Sequence, residues 1–303
     1  MAYDPSVWII FSLLSVASYG TSNLIDSVLV RWYEKKPWML QWGQGFFTLI
    51  FLLVCLFFGD IRSTWIIPLV ITGAIAYVGD ALFFRVVDDV DISVTNSAWA
   101  VVALLLSIAG YLFFDERWTL LQFLGSLFII SGIFCVSYWH AHVSVPRTLL
   151  RFTGLAFLYI PFCIVQKAGL LEGQSFFSVF FWCTLARASC AFAVPLLRPV
   201  QRRILLVRIL TVPAAIFVLS ALSGFCAFAG MFLVVQAYRS GPLSLVSVIG
   251  STQAFFVLMS AWLLSVFSPS SAAKELLSVQ SVSIKIFSFT IVFFGLALLA
   301  MTQ

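Results

Sequence analysis

Apolar runs of about twenty residues recur from one end of the chain to the other, separated by short polar breaks. As a helix, each run is long enough to cross roughly 30 Å of hydrocarbon. The pattern predicts ten spans, at about 7–30, 38–58, 65–87, 93–113, 120–139, 152–170, 176–197, 212–238, 243–266 and 283–301. Most connections are short, so neighbouring spans form antiparallel hairpins. The longest breaks, His140–Arg151, Arg198–Thr211 and Phe267–Val282, leave no room for a water-soluble domain. Segment Val200–Leu210 interleaves Arg202, Arg203 and Arg208 with Ile204, Leu205 and Val207. It reads either as a short amphipathic helix along the interface or as a plain basic loop.

The pattern also repeats. Sliding Gly73–Tyr138 forward by about 151 positions lays Gly73, Ala76 and Gly79 onto Gly224, Ala227 and Gly230, Ser93 onto Ser244, and Ala103 onto Ala254. After Leu112, which meets Leu263, the register slips across the polar stretch Ser268–Gln280, and Gly132 then meets Gly295. Ten spans in two copies give five per copy. An odd number makes the second copy enter the membrane from the opposite side, as an inverted repeat. The copies are placed at 1–145 and 146–303, and the small-residue stripes are read as packing seams.

Composition agrees with the pattern. The chain is 62% hydrophobic and 10% charged, against about a quarter charged in soluble domains. The expected class is therefore all-α and polytopic, in the cell membrane. Short alternating segments of a β-barrel are absent. Met1–Ser6 holds no Lys or Arg and the run Val7–Val30 is too long for a signal peptide's core, so no cleaved signal is expected. The net charge of +5 reflects membrane orientation rather than nucleic-acid binding. Arg31, Lys35, Lys36, Arg85, Arg147, Arg151, Arg198, Arg202, Arg203, Arg208, Lys274 and Lys285 border the odd-numbered connections. Arg62, Arg117, Lys167 and Arg239 lie on the other side. This bias puts the odd connections in the cytoplasm and both termini outside. The six cysteines sit in apolar runs without a CxxC pair and read as small buried hydrophobes.

Short motifs add a resemblance. Tyr19-Gly20-Thr21-Ser22-Asn23 resembles the Trp-Gly-Ser-Asn opening of the EamA family, in the drug/metabolite transporter superfamily. Asp115-Glu116-Arg117 with Gln122, Gly125 and Gly132 is similar to that family's Gly-Glu-Arg turn and following Gln-x-x-Gly span. Thr184-Leu185-Ala186-Arg187 resembles its arginine-bearing second span of a half. Departures are visible. Ala103 and Ala254 stand where the family usually has proline, Ser268–Gln280 replaces the second Gly-Glu-Arg-like turn, and Asp26 falls near a frequent lysine. The resemblance implies an exporter of amino acids or related metabolites. It also implies cytoplasmic termini, against the charge count.

The chemistry expected inside the bundle is sparse. Of the twelve acidic residues only Asp26 and Asp80 fall inside spans, and Arg187 sits near the middle of its span. A lipid-facing charge there costs from about 3 to over 10 kcal/mol, so Arg187 should point inward to a partner. That partner is either Asp80 or Asp26, or an anionic group of a substrate. Asp26, one turn from its span end, is read as reaching water, and Lys167 as snorkelling. Asp80, one turn beyond Ala76 and Tyr77, would exchange protons across a pH gradient if unpaired. Uncharged candidates are Gln41 and Gln44, one turn apart, the face Ser93, Asn96, Ala100, Ala103, Ser107 with Trp99 beside it, and Ser244, Ser247, Ser251 with Gln253. Small hydroxyl residues at this spacing also serve as helix contacts, whereas the Trp99 ring can stack on a substrate or close a gate. Trp8, Trp32, Trp38, Trp65, Trp118 and Trp139 sit at span ends and read as interface anchors.

No enzyme signature is present. His140 and His142 lack a third ligand, and there is no HExxH, GxxxxGK[ST] or GxSxG. The expected function is alternating-access transport of a small organic molecule, as a monomer or homodimer, without cofactor or nucleic-acid partner. Asn23, Gln44, Tyr77, Asp80, Asn96, Trp99, Arg187 and Gln253 are the candidate substrate-binding residues. A nucleotide-sugar carrier, a lipid-linked-sugar flippase and a non-transporting scaffold are the competing readings.

Overall fold

The computed structural model describes residues 5–32, 36–89, 95–96, 98–140, 145–209, 211–267, 287–288, 290–295 and 297–298. They form an all-helical bundle: α1 (Pro5–Trp32), α2 (Pro37–Phe58), α3 (Ile66–Asp89), α4 (Ala98–Phe114), α5 (Leu120–His140), α6 (Val145–Leu171), α7 (Phe176–Leu197), α8 (Pro199–Ile209), α9 (Ala214–Ser240), α10 (Leu243–Ser251) and α11 (Gln253–Phe267). Helical residues recur at 287–288, 290–295 and 297–298. Among the described residues, seven stretches are long and apolar enough to cross a membrane, and Ala98–Phe114 and Leu120–Gly132 are shorter apolar helices. The protein is a multi-pass membrane protein. His142, Ser93, Ser268–Gln280 and the His140, Trp32 and Trp139 side chains lie outside what is described.

Polar punctuation sets the helix ends. Pro37 begins α2, where its missing N–H costs nothing. Ser175 caps α7, its hydroxyl accepting from Ser178 N at 3.0 Å. After α6, Gly173 takes φ +79° while Gln174 N donates to Gly169 O at 3.0 Å, a C-terminal turn suited to glycine. Segment 199–209 is a helix rather than a loop; Leu205 is buried while Arg202, Arg203 and Arg208 are exposed.

The predicted ninth span is not one helix. It breaks at Thr252, between α10 and α11. Ser251 Oγ donates to Val248 O at 2.6 Å and Thr252 Oγ1 to Ile249 O at 2.7 Å. Two successive hydroxyls bonding to backbone carbonyls accompany this interruption, without any proline.

The outer surface is apolar, and polar groups lie within the buried core. Phe57, Ile67, Phe113, Leu120 and Leu197 point outward, while Ser22, Asn23, Asp26, Gln41, Asp80, Asn96, Gln166 and Gln253 are buried. The polar groups line the interior because lipid offers them no hydrogen bonds.

The small-residue stripes are close-approach seams. A Cβ on Gly73 would lie 2.5 Å from Cys183 O, which brings α3 against α7. Gly79 meets the Tyr159 ring of α6. On α9, Gly224 meets Phe47 of α2 and Gly230 meets Tyr19 of α1. Thus α3 packs on α6 and α7, α9 on α1 and α2, α4 on α6 and α10, and α1 on α10 and α11.

One end of the bundle, where α1 begins and the connections 59–65, 115–119, 172–175 and 241–242 lie, is closed by polar contacts between early and late helices. Asp115 takes φ +50° just after α4, and the next residue, Glu116, reaches the start of α10. Its Oε1 accepts from Leu243 N at 2.6 Å and its Oε2 from Ser244 N at 2.9 Å and Ser244 Oγ at 2.5 Å. Trp118 Nε1 donates to Ser244 Oγ at 3.1 Å. Ser63 Oγ donates to Gln174 Oε1 at 2.7 Å, and Ser175 Oγ to Asp60 O at 2.6 Å. Trp8, 4% exposed, packs on Gly241. Trp8 is therefore an internal plug rather than the interface anchor its position suggests, because α9 ends against it.

Candidate functional site

A cavity of about 130 Å³ lies inside this bundle, lined by residues from α1–α4, α6, α7 and α9–α11. Helix α1 supplies one wall. Ser15, Tyr19, Ser22 and Asp26 recur at three- to four-residue spacing and therefore share a face. Gln44 comes from α2, Asp80 and Phe83 from α3, Trp99 from α4, and Tyr159 and Gln166 from α6. Arg187, Met231, Ser247 and Gln253 complete it from α7, α9, α10 and α11.

Three polar clusters organise the lining. In the first, Arg187 faces Asp80 edge-on: Nε is 2.5 Å from Oδ2 and the second nitrogen, Nη2, 2.6 Å from Oδ1. Bidentate pairing is the strongest geometry for these two groups. The Tyr159 hydroxyl donates to the same Asp80 oxygen, and the guanidinium carbon lies 5.9 Å from the Tyr159 ring centre. Trp99 meets that ring edge-to-face, centroids 4.9 Å apart. Arg187 thus takes Asp80 as its partner, one of the alternatives the sequence left open. Because Asp80 is paired, the condition set for proton exchange at this residue is not met.

The second cluster is made of amides. Asn23 Nδ2 and Gln253 Nε2 both donate to Asn96 Oδ1, at 2.8 and 3.0 Å, which ties α1 and α11 to the segment before α4. In the third cluster, Asp26 accepts from Gln44 Nε2 at 2.6 Å and from Ser223 Oγ at 2.7 Å. Ser22 and Ser223 hydroxyls lie 3.0 Å apart beside it.

Two expectations are overturned here. Asp26 is 3% exposed and faces the cavity, because α9 brings Ser223 over that end of α1. Lys167 does not snorkel: it is 1% exposed, and its Nζ donates to Tyr238 O at 2.7 Å and Gly241 O at 2.8 Å. The ammonium satisfies carbonyls at the C-terminus of α9, where a helix favours positive charge.

Six of the eight candidates line the cavity: Asn23, Gln44, Asp80, Trp99, Arg187 and Gln253. Asn96 lies behind it as the hub of the amide cluster, with no exposed surface. Tyr77 is not among the lining residues; its backbone carbonyl accepts from Gln41 Nε2 at 3.1 Å. Sequence reasoning missed Tyr159, Gln166 and Ser223. Gln166 carried a usable signal, being a neutral amide well inside a span.

Residues 6–138 match the sequence model of the EamA-like transporter family, part of the drug/metabolite transporter superfamily. Over this segment the chain is similar to EamA-like transporters. Members of that family are transporters rather than enzymes. A solved crystal structure of a protein resembles this chain over 98% of its length and 97% of its own, with a TM-score of 0.69 at 14% identity. At that identity the likeness concerns the fold. No curated protein matches the sequence. The EamA-like match and the membrane-crossing helices together support a transporter of the drug/metabolite superfamily.

Proposed function

We propose that the chain moves small organic metabolites, amino acids or compounds like them, by alternating access, and that it exports them. Two inverted five-helix repeats, 1–145 and 146–303, would form the machine. One observation carries this reading: the helix contacts come in exchanged pairs. Helix α3 packs on α6 and α7, and its repeat counterpart α9 packs on α1 and α2. The α4–α6 contact has its counterpart in the contact of α1 with α10 and α11. A two-fold axis between the units generates this exchange, five crossings per unit would put that axis in the membrane plane, and two such units can rock about a site on it.

The closed end supports the same reading. Polar contacts join the units where α1 begins, whereas Asp26 lies six residues, about 9 Å of helix rise, from the other end. With the odd-numbered connections cytoplasmic, that other end faces the cytoplasm, as an exporter loading its substrate requires. The Arg187 pair suits a carboxylate that shares the guanidinium with Asp80.

Counterflow with the purified protein in liposomes tests this function. Unlabelled amino acid inside is expected to drive uptake of labelled amino acid at least severalfold above empty liposomes. Exchange of nucleotide sugars instead, or of no organic solute, would contradict it.

A further inference from the structure

The charges lining the cavity do not balance. Asp80 and Arg187 form a neutral pair, which leaves Asp26. Both Asp26 oxygens are held by neutral donors, Gln44 and Ser223, and no cation meets the carboxylate among the described residues. A carboxylate kept away from water needs either a counter-charge or a proton. The walls beside it are aromatic. Tyr19 lies two turns back on the same face of α1, and Phe83, Phe84 and Trp99 line the same space. Aromatic faces attract cations and stack on apolar bodies. Further in, the amide of Gln166, a residue with no exposed surface, lines the cavity beside the Cys183 thiol and meets no nitrogen or oxygen partner among the described residues, nor does the Trp99 Nε1.

We propose that Asp26 binds the ammonium group of an organic amine or zwitterion whose apolar body lies against the aromatic walls of this cavity. This rests on the cavity being the substrate site, and it assigns the ammonium end to α1 rather than to the Arg187–Asp80 pair. Gln44 and Ser223 are positioning residues that hold the carboxylate in place. Gln166 and Trp99 offer the hydrogen bonds that a polar group at the opposite end of the ligand would use.

Binding of phenethylamine and of 3-phenylpropionate to the full chain in lipid nanodiscs tests this directly. The two probes are of similar size and opposite charge. The amine is expected to bind at least tenfold more tightly than the acid, and Asp26→Asn is expected to weaken amine binding tenfold or more without weakening the acid. Equal binding of the two probes by the unaltered protein would overturn the assignment, and that comparison stands even if Asp26→Asn fails to fold. So would unchanged amine affinity in a folded Asp26→Asn protein. If the acid alone binds and exchanges across liposomes, the ammonium site is wrong while the transporter reading survives. If neither probe binds, and amino acids do not exchange either, both fall.

Discussion

Arg187→Ala is expected to destabilise the protein by about 3–5 kcal/mol, the usual cost of removing one partner of a buried ion pair. The loss comes less from the missing attraction than from what remains. Asp80 would keep its negative charge inside the bundle, with Tyr159 as its only remaining donor among the contacts above. Thermal unfolding of the detergent-solubilised protein should show a large drop in midpoint. Asp80→Asn should be similarly damaging, because it strands a guanidinium. Combining Asp80→Asn with Arg187→Gln removes both charges and should recover much of the stability, since a neutral pair leaves no buried charge uncompensated. If the double variant were as unstable as the sum of the singles, the two residues would not be acting as a pair.

Glu116→Ala should open the closed end of the bundle. Glu116 satisfies two N–H groups at the start of α10 and the Ser244 hydroxyl, and its charge complements that helix terminus. Hydrogen bonds to a charged group contribute about 1.5–3 kcal/mol. Losing this set while the remaining contacts persist should shift the balance between closed and open by roughly tenfold or more. Arg117 and Arg239 are both exposed at this end. Spin labels placed there should report one short distance in the unaltered protein and a substantial longer population in Glu116→Ala. Identical distance distributions would remove Glu116 from the closure. A general loss of stability without opening would make it merely a helix cap.

Much of this organisation could be read from the chain, for definite physical reasons. The stripe Gly73, Ala76, Gly79 and its copy were legible because only small residues let helix backbones approach, and both stripes lie at such contacts. That Arg187 needs an inward partner was legible because a charge inside a span must be compensated, but the choice of Asp80 over Asp26 or a substrate anion came only with the packing of α3 on α7. What failed depended on neighbours distant in sequence. Nothing local marks Asp26 as buried; Ser223, 197 positions away, makes it so. The same holds for Trp8 under Gly241 and for Lys167 under the end of α9. Tyr159 looked like an ordinary aromatic until α3 and α7 brought Asp80 and Arg187 to it. The break at Thr252 had a visible sign, two adjacent hydroxyl residues, hidden by the strong apolar pattern on either side.

Whether the cavity is reached from each membrane face in turn can be decided at a native side chain. Cys163 lines the cavity and is a free thiol. In sealed vesicles, an impermeant thiol reagent is applied from one face or the other, and modification of Cys163 is read by peptide mass. The experiment is repeated with Asp60→Cys and Ser175→Cys joined by oxidation across the closed end, where Ser175 Oγ lies 2.6 Å from Asp60 O. Cys163 should react from both faces in the unlinked protein. In the linked protein it should react only from the face where α1 ends. Reaction from a single face in both proteins, or unchanged reaction through the linked end, would contradict alternating access.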